Sequence, residues 1–262
     1  MNLNINKNEP VMVTGATGFV ASELIKKLLE NGITVHAAVR NPEDVSTLQH
    51  LTNLESTLSG KIIFFKSDLL KEESYLKSME GCSIVFHTAS PFNFKVKDNQ
   101  KGYINPALEG TRNVLDSVNK TESVKRVVLT SSCAAIYGDA VDISNYPNKT
   151  MTEEMWNSSS TSNYNAYSYS KTIAEKEAWE ISKKQNNWKL VVINPCFVLG
   201  PSISKNPTSG TFELLSQLAD GSMKSGAAPF EIGAVDVKDV AEAHFKAAYL
   251  ESANGRNILY NK

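Results

Sequence analysis

One short stretch, residues 11–21 with the sequence VMVTGATGFVA, constrains the fold more than any other part of the chain. Its apolar start stops abruptly at Thr14 and Gly15, and an amphipathic segment begins just after Gly18. This order predicts a strand, a tight turn and a helix, with glycines where the backbone must turn sharply or let a ligand approach closely. The N–H groups and the dipole of a helix N-terminus at this turn would bind a phosphate. An ordinary strand-to-helix turn that uses glycine only for its geometry is the alternative.

Short apolar runs alternate with helix-like segments along the rest of the chain. The runs are rich in β-branched residues and show little polar–apolar alternation, which is typical of a parallel sheet covered on both faces. The predicted strands are residues 11–13, 33–39, 61–66, 83–87, 124–129, 190–193 and 257–260. The predicted helices are residues 19–29, 43–51, 72–79, 105–118, 166–185, 212–218 and 236–250. The pattern predicts an α/β fold of the Rossmann type, a doubly wound parallel sheet that binds ligands at the carboxyl ends of its strands.

The composition changes after residue 194, where Gly, Pro and Ser become frequent around a single helical segment. We therefore predict a dinucleotide-binding Rossmann domain over residues 1–194 and the start of a smaller substrate-binding unit over residues 195–235. Residues 236–262 would supply a helix and a strand that return to the Rossmann domain. Residues 139–163 form a long polar connection, and connections of this length are usually functional or mobile.

Composition excludes several kinds of partner. The chain of 262 residues carries 27 Lys+Arg against 28 Asp+Glu, a net charge of −1 without any basic block, so we expect no nucleic-acid partner. No apolar segment approaches the roughly 20 residues of a membrane span, and the N-terminus has no signal-peptide core, so we expect no membrane contact and a cytoplasmic location. Cys82, Cys133 and Cys196 lack the spacing of metal ligands, so they are interpreted as small core residues and no metal site is expected.

Tyr167 and Lys171 stand four residues apart in a predicted helix, so both side chains lie on one face. A phenol has an unperturbed pKa of about 10, and a nearby ammonium group would lower that pKa toward neutral pH. Such a pair can act in acid–base catalysis, although a solvated helix face explains the spacing equally well. Ser132 ends a predicted strand at the same sheet edge, where its hydroxyl could hold a developing oxyanion or simply cap a turn. Together with the glycine turn, these residues indicate a catalytic site.

Arg40 directly follows the second predicted strand. In a dinucleotide-binding fold this position faces the adenosine ribose, where a carboxylate prefers a free 2′-hydroxyl and an arginine can clamp a 2′-phosphate. Arg40 therefore favours NADP(H), with NAD(H) as the alternative cofactor. The negative charges of Glu43 and Asp44 would weaken this preference if they faced the same pocket, and a surface arginine without a role is the other interpretation.

Several motifs together resemble the extended short-chain dehydrogenase/reductases of the NAD-dependent epimerase/dehydratase superfamily. The turn TGATG at residues 14–18 with Ala21 matches their TGxxGxx(G/A) fingerprint, and Ser132, Tyr167 and Lys171 match their catalytic serine and YxxxK motif. Within the superfamily the chain is similar to the branch of dihydroflavonol reductases, cinnamoyl-CoA reductases and aldehyde/ketone reductases. The stretches that carry this likeness are HTASPF (87–92), NPALEGT (105–111), VVLTSS (127–132), NAYSYSK (165–171), NP (194–195), GP (200–201) and VDVKDVAEAH (235–244).

The resemblance implies a role for each matching residue. Tyr167 would protonate the carbonyl oxygen of the substrate, Ser132 would hold that oxygen, and Lys171 would bind the nicotinamide ribose and lower the pKa of Tyr167. The residues implied for the cofactor are Gly15, Thr17, Gly18, Phe19 and Val20 at the pyrophosphate, Arg40 at the 2′-phosphate, Asp68 and Leu69 at the adenine, and Thr88, Ala89, Ser90, Tyr167, Lys171, Pro195 and Val198 along the remainder. The apolar wall of the substrate pocket would comprise Phe92, Tyr137 and Phe197.

The chain departs from this family at several places. Ala21 replaces the third glycine, which the fingerprint tolerates. Tyr137 stands where the dihydroflavonol reductases have an asparagine that grips the flavonoid, and the residues around Tyr167 are closer to the aldehyde/ketone reductases than to the cinnamoyl-CoA reductases. Family members continue well past the strand that residues 257–260 resemble, whereas this sequence stops at Lys262. Part of the substrate-covering unit is therefore expected to be missing, so that the unit is truncated.

These observations predict an NADPH-dependent reductase that converts an aldehyde or ketone with an apolar side group into an alcohol. Its expected partner is a small-molecule carbonyl compound, and the protein is expected to be a monomer or homodimer. One alternative is a sugar-nucleotide epimerase or dehydratase that retains its NAD, which Arg40 and the aromatic residues at 92 and 94 disfavour. Another is a non-catalytic NADP-binding regulatory module, which the YxxxK motif disfavours.

Overall fold

The computed structural model describes residues 6, 8–90, 98–144, 146–205, 207, 209–226 and 232–261. Its strands are β1 (Val11–Thr14), β2 (Thr34–Val39), β3 (Lys61–Lys66), β4 (Ile84–His87), β5 (Arg126–Thr130), β6 (Lys189–Pro195), β7 (Phe197–Leu199), β8 (Ala234–Asp236) and β9 (Gly255–Leu259). Its helices are α1 (Phe19–Glu30), α2 (Val45–Thr57), α3 (Leu76–Met79), α4 (Asn105–Asn119), α5 (Ala140–Ile143), α6 (Ala166–Lys183), α7 (Gly210–Ala219) and α8 (Val237–Tyr249). A π-helical turn (Gln100–Ile104) leads into α4, and a 3-10 turn (Cys133–Ala135) follows β5.

Seven parallel strands form the central sheet in the order β3-β2-β1-β4-β5-β6-β9. The chain winds from β1 toward one side of the sheet and from β4 toward the other, so the direction switches between β1 and β4. The predicted doubly wound parallel sheet is confirmed. In such sheets the crevice at the switch point binds the ligand. Both the glycine turn after β1 and the segment after β4 open into this crevice.

Both faces of the inner strands β1, β2, β4, β5 and β6 are largely buried, which explains why these strands are mostly apolar. Consecutive residues of β1 point to opposite faces. Val11 and Val13 pack into a core with residues of α1, α2 and α8, whereas Met12 packs into a second core with residues of α3, α4 and α6. The sheet is therefore a rigid support on which loops at its carboxyl edge can hold functional groups.

A buried arginine joins the end of α8 to the amino edge of the sheet. Arg126 begins β5 with no exposed surface, and its Nη1 donates hydrogen bonds to the carbonyls of Ala247 (3.0 Å), Ala248 (3.0 Å) and Leu250 (2.7 Å). These carbonyls lie at the end of α8, where a helix leaves its own acceptors unpaired. Arg126 thus caps α8 and holds it against the sheet.

Two helices differ from their predicted ranges by more than two residues at one end. α2 continues to Thr57 rather than ending at residue 51, because its last turn is largely polar and partly exposed and so carries no apolar periodicity. α3 begins at Leu76 rather than at residue 72, because Glu73 adopts a positive φ of 60° that an α-helix does not accommodate.

The region after β6 contains a small parallel pair, β7 with β8, and helix α7. The sequence did not predict this pair, since strands of three residues are too short to show a pattern. The Phe212 ring of α7 packs edge-on against the Phe19 ring of α1, with 4.9 Å between their centroids, which places α7 beside the glycine turn. The division of the chain at residues 194 and 235 stays a prediction. In the described part of the chain, every helix is too short or too polar to cross a membrane.

Candidate active site

The glycine turn after β1 leaves room for a ligand to approach the backbone closely. Gly15 has a φ of +60°, and a Cβ there would stand 3.0 Å from the Cα of Ala89, so both conformation and space favour glycine. Gly18 is the N-cap of α1, and no side chain among the described residues caps this helix. The first N–H groups of α1 therefore stay available to an anion.

Thr14 joins the ends of β1 and β4 and orients the buried His87. Its hydroxyl oxygen accepts hydrogen bonds from the N–H groups of Thr88 (3.0 Å) and Ala89 (2.9 Å) and lies 3.0 Å from Nδ1 of His87. Because both N–H groups donate to this oxygen, we infer that the Thr14 hydroxyl donates to Nδ1 and that His87 carries its proton on Nε2. Burial, helped by the charge of Lys171, lowers the pKa of His87 to about 3. The segment after β4 is thus fixed beside a neutral imidazole.

The three predicted catalytic side chains lie close together at the carboxyl ends of β4 and β5. The Ser132 hydroxyl lies close enough to the Tyr167 phenol to lower its pKa, and the Ser132 oxygen accepts a hydrogen bond from the N–H of Ala134 at 3.1 Å. Lys171 Nζ donates to the Ser90 hydroxyl at 2.8 Å and lies 5.9 Å from the centre of the Tyr167 ring. Because Lys171 is 9% exposed, its ammonium group acts in a largely desolvated environment.

Burial dominates the protonation of this cluster. It raises the pKa of Tyr167 to about 12, and it lowers the pKa of Lys171 to about 8 against the opposing attraction of the Glu175 carboxylate. The expected lowering of the Tyr167 pKa by Lys171 is therefore wrong for this structure, because desolvation of the phenolate raises this pKa by more than the Ser132 hydroxyl lowers it. Tyr167 is consequently a neutral phenol at neutral pH, the form that can donate a proton.

The wall beside Ser132 is built from two thiols and a phenol. The Cys133 thiol lies beside the Cys196 thiol and the hydroxyls of Ser132 and Tyr137, which lower the pKa of Cys133. Burial raises the pKa of Tyr137 to about 12, so this phenol is also neutral. Cys133 and Cys196 are buried and free, as expected of small core residues. Their position next to Ser132 is an additional finding.

Arg40 stands at the level of the glycine turn. The N–H of Ala16 donates to the carbonyl of Ala38 at 3.3 Å, so the turn is tied to the end of β2 two residues before Arg40. The Arg40 side chain is exposed. Asp44 points elsewhere, because its carboxylate accepts from the Ser46 hydroxyl at 2.6 Å and caps α2.

The other predicted cofactor residues follow neighbouring strands at the same edge. Thr17, Phe19 and Val20 lie in the glycine turn and the start of α1, Asp68 and Leu69 follow β3, Pro195 ends β6, and Val198 lies in β7. Of the predicted substrate residues, Phe197 begins β7 and is half-buried. Phe92 lies outside the described residues.

Sequence reasoning missed several residues of this site. The Tyr103 ring stands edge-on to the Tyr167 ring with 6.3 Å between centroids, and Phe212 covers Phe19. Contacts between distant segments leave no local signal in the sequence. Glu175 does leave one, because it stands four residues after Lys171 and so shares its helix face.

Comparison with known proteins identifies the family. The model of the NAD dependent epimerase/dehydratase family matches residues 11–261. The chain is 41% identical to the cinnamoyl-CoA reductase CAD2 of Medicago truncatula, over 98% of this chain and 77% of the relative. It is 39% identical to the anthocyanidin reductase of Arabidopsis thaliana, over 94% of this chain and 74% of the relative. The crystal structure of yeast methylglyoxal/isovaleraldehyde reductase Gre2 complexed with NADPH has a TM-score of 0.82 at 31% identity, over 96% of this chain and 78% of that one. These relatives are reductases, and since the family model extends over nearly the whole chain, the protein belongs to the NAD-dependent epimerase/dehydratase family.

Proposed function

We propose that the protein reduces an aldehyde or ketone to an alcohol, with NADPH as the hydride donor and Tyr167 as the proton donor. The observation that carries this proposal is that the Tyr167 phenol lies close to both the Ser132 hydroxyl and the buried Lys171 ammonium group. Two hydroxyl donors suit a carbonyl oxygen, and an adjacent cation suits the negative charge left on a phenol. The reductase relatives support the same reaction class.

The residues at the carboxyl edge fit NADPH. Gly15 leaves the backbone open to the pyrophosphate, and α1 offers uncapped N–H groups to it. Arg40 would supply the guanidinium that recognises the 2′-phosphate, and Lys171 would hold the nicotinamide ribose. The NADPH complex of the yeast relative supports this choice of cofactor. NADPH bound at this edge would supply the hydride.

The chain's own residues would control the oxygen and the proton. Ser132 would donate to the carbonyl oxygen and keep it within reach of Tyr167. Since the pKa of Tyr167 is about 12, the phenol is protonated at neutral pH and can give its proton to the oxygen as negative charge develops there. A protonated Lys171 would stabilise the resulting phenolate, which requires a pH below the lysine pKa of about 8.

The wall of the pocket favours an apolar group next to the reacting carbonyl. Tyr137 and the Cys133 and Cys196 thiols lie beside Ser132, and Phe197 follows directly after Cys196. These side chains offer hydrocarbon and sulfur surface and few groups that could hydrogen-bond the hydroxyls of a sugar. This composition supports an alkyl or aryl carbonyl compound over a sugar nucleotide.

The proposal is tested by following NADPH oxidation with a panel of alkyl and aryl aldehydes and ketones. Tyr167→Phe should lower kcat by about 10³-fold, within the 10²–10⁴-fold range of a positioned proton donor, and should leave NADPH binding unchanged because the ring remains. Tyr169→Phe changes a second tyrosine of the same helix and should keep the wild-type rate. The panel is repeated with NADH, which should be the poorer donor if Arg40 binds the 2′-phosphate.

Three outcomes would contradict the proposal. Equal rates for wild type and Tyr167→Phe would remove Tyr167 as the proton donor. NAD released from the purified protein on denaturation would instead favour an epimerase or dehydratase that retains its cofactor. Tight NADPH binding without turnover of any carbonyl compound would favour a non-catalytic module.

A further inference from the structure

A second buried polar cluster lies one helical turn beyond Lys171. Glu175 and Arg256 form an ion pair with 2.5 Å between Oε1 and Nε, and their side chains are 0% and 7% exposed. Among the described residues, each of the six other ion pairs has at least one side chain that is a third or more exposed. A buried ion pair often adds no net stability, because desolvation of both charges offsets their attraction. This pair therefore calls for a functional explanation.

The Glu175 carboxylate bonds to donors from four elements of the fold. Its Oε2 accepts hydrogen bonds from the Ser131 hydroxyl at 2.6 Å and from the Asn194 amide at 2.8 Å. Its Oε1 accepts from the Arg256 guanidinium and from the Trp179 indole N–H at 3.3 Å. These donors belong to the residue directly after β5, to β6, to β9 and to α6 itself. A movement of the carboxylate would break bonds to all four.

The same donors hold the backbone on both sides of Ser132. Ser131 immediately precedes it, and the Asn194 amide also donates to the Ser132 carbonyl at 3.2 Å. Nη2 of Arg256 donates to the carbonyl of Ala135 at 3.2 Å, in the turn that follows. Hydrogen bonds therefore fix the chain at the residue before Ser132, at Ser132 itself and in the turn that follows it.

Glu175 shares α6 with the other two catalytic side chains, one turn after Lys171 and about two turns after Tyr167. We infer that the Glu175–Arg256 pair is a positioning unit, which fixes Ser132 relative to Tyr167 and Lys171 and keeps a negative charge beside Lys171. The inference rests on the proposed reduction, since it assigns a role at that same site. Neither Glu175 nor Arg256 belongs to a motif that marks the catalytic residues.

The charged and titratable groups around Lys171 show why this negative charge matters. His87, at the end of β4, is neutral, and Tyr167 on α6 is a neutral phenol. Glu175 is the carboxylate that opposes the effect of burial on Lys171, and Arg256 on β9 offsets part of its charge. Loss of the Glu175 charge would therefore lower the pKa of Lys171 further and deprotonate it at a lower pH.

The test compares Glu175→Gln with Glu177→Gln, which alters an exposed ion pair with Arg112 on the same helix. Glu175→Gln should lower kcat by about 30-fold with the KM for NADPH changed less than about threefold, because alignment rather than cofactor binding is disturbed. The pH above which kcat declines should also fall by about one unit, because Lys171 loses its opposing charge. Glu177→Gln should keep the wild-type kcat and pH profile.

A merely structural role would give a different result. A folded but less stable Glu175→Gln protein with the wild-type kcat and pH profile, measured per folded molecule, would overturn the inference. If Glu175→Gln does not fold, Ser131→Ala removes one hydrogen bond to the carboxylate and leaves the ion pair in place. This variant should lower kcat about fivefold at unchanged KM, in line with the loss of one charge-assisted hydrogen bond, and an unchanged kcat would overturn the inference.

A measurement that needs no turnover distinguishes failure of this inference from failure of the proposed function. The ¹³Cε resonance of Lys171, assigned by its absence in Lys171→Met, is titrated in wild type and in Glu175→Gln. A lower titration midpoint in Glu175→Gln supports the inference even if the wild type reduces no carbonyl compound of the panel. Equal midpoints in the two proteins overturn the role of the charge, whatever the activity of the wild type.

Discussion

The two edges of the central sheet each engage a buried arginine, and the two arginines are used differently. On the amino edge, the hydrogen bonds of Arg126 go to three backbone carbonyls at the end of α8. On the carboxyl side, Arg256 pairs with Glu175 and donates to the backbone carbonyls of Met155 and of Ala135, which lies three residues after Ser132. Arg126 donates through Nη1 alone to fixed backbone carbonyls, and in the described part of the chain its Nε and Nη2 have no hydrogen-bond partner. Arg256 instead faces a carboxylate.

This difference separates the amino edge, which contributes to stability, from the carboxyl edge, which carries the groups that can react. Backbone carbonyls do not titrate at physiological pH, so the hydrogen bonds that join α8 to the amino edge do not depend on pH. The carboxyl edge gathers neutral histidines, phenols and a lysine whose pKa values burial has moved, together with two thiols whose pKa values depend mainly on each other. Such groups respond to pH and to their neighbours. Changes at the amino edge should therefore alter stability alone, whereas changes at the carboxyl edge should alter activity as well.

Lowering the pH should give the largest effect on the free energy of unfolding, and it should act through groups at the carboxyl edge. His87 bonds Thr14, and His244 bonds the Thr130 hydroxyl at 2.7 Å; burial lowers their pKa values to about 3 and about 4. Below the ordinary histidine pKa of about 6.5 the unfolded chain takes up these protons before the folded one, so each histidine should cost about 1.4 kcal/mol of stability per pH unit. Between pH 6.5 and 4.5 the two together should remove about 5 kcal/mol from the free energy of unfolding.

The acid effect is measured by urea unfolding at a series of pH values. In His244→Gln only His87 of these two histidines takes up a proton on unfolding. The stability of this variant should therefore fall less steeply with falling pH than that of the wild type, with a slope smaller by about 1.4 kcal/mol per pH unit. Parallel pH dependences for the two proteins would show that His244 contributes nothing to this acid sensitivity.

Arg126→Met should produce the next largest change, and only in stability. Three helix carbonyls would lose a charged donor, so the free energy of unfolding should fall by about 3 kcal/mol. The kcat per folded molecule should stay within about twofold of wild type, because the site lies at the opposite edge. Arg112→Met, which breaks an exposed ion pair, should cost about 0.5 kcal/mol or less. A loss of kcat as large as that of Glu175→Gln would break the distinction between the two edges.

The smallest expected effect concerns two glycines, one at each edge of the sheet. Gly15 at the carboxyl edge and Gly81 before β4 both have positive φ values, of 60° and 72°. A Cβ at Gly81 would meet no atom within 4 Å, whereas one at Gly15 would press against Ala89. Each Gly→Ala change should cost about 1 kcal/mol for its backbone conformation, and Gly15→Ala should in addition weaken NADPH binding. Isothermal titration with NADPH checks this, and equal affinities of the two variants would argue against the glycine turn as the cofactor site.

The sequence predicted the architecture and the location of the site because both depend on local pattern. Alternating apolar strands and amphipathic helices define a doubly wound parallel sheet, and such a sheet brings its strand ends together at one edge. The glycine turn, Ser132 and the Tyr167–Lys171 pair could therefore be placed side by side without coordinates. The roles of these residues and of Arg40 stay predictions for the experiments above.

What the sequence missed depends on burial and on contacts between distant segments. The spacing of Tyr167 and Lys171 suggested a lowered phenol pKa, but the surrounding elements desolvate the hydroxyl and raise that pKa instead. The thiol of Cys196 meets that of Cys133, and Arg256 near the end of the chain meets Glu175, only after β5, β6 and β9 have paired. The sequence by itself thus determined which groups stand at the carboxyl edge. Tertiary packing decided how strongly each group is desolvated and which charge it faces, because both quantities depend on which distant segments fold against it.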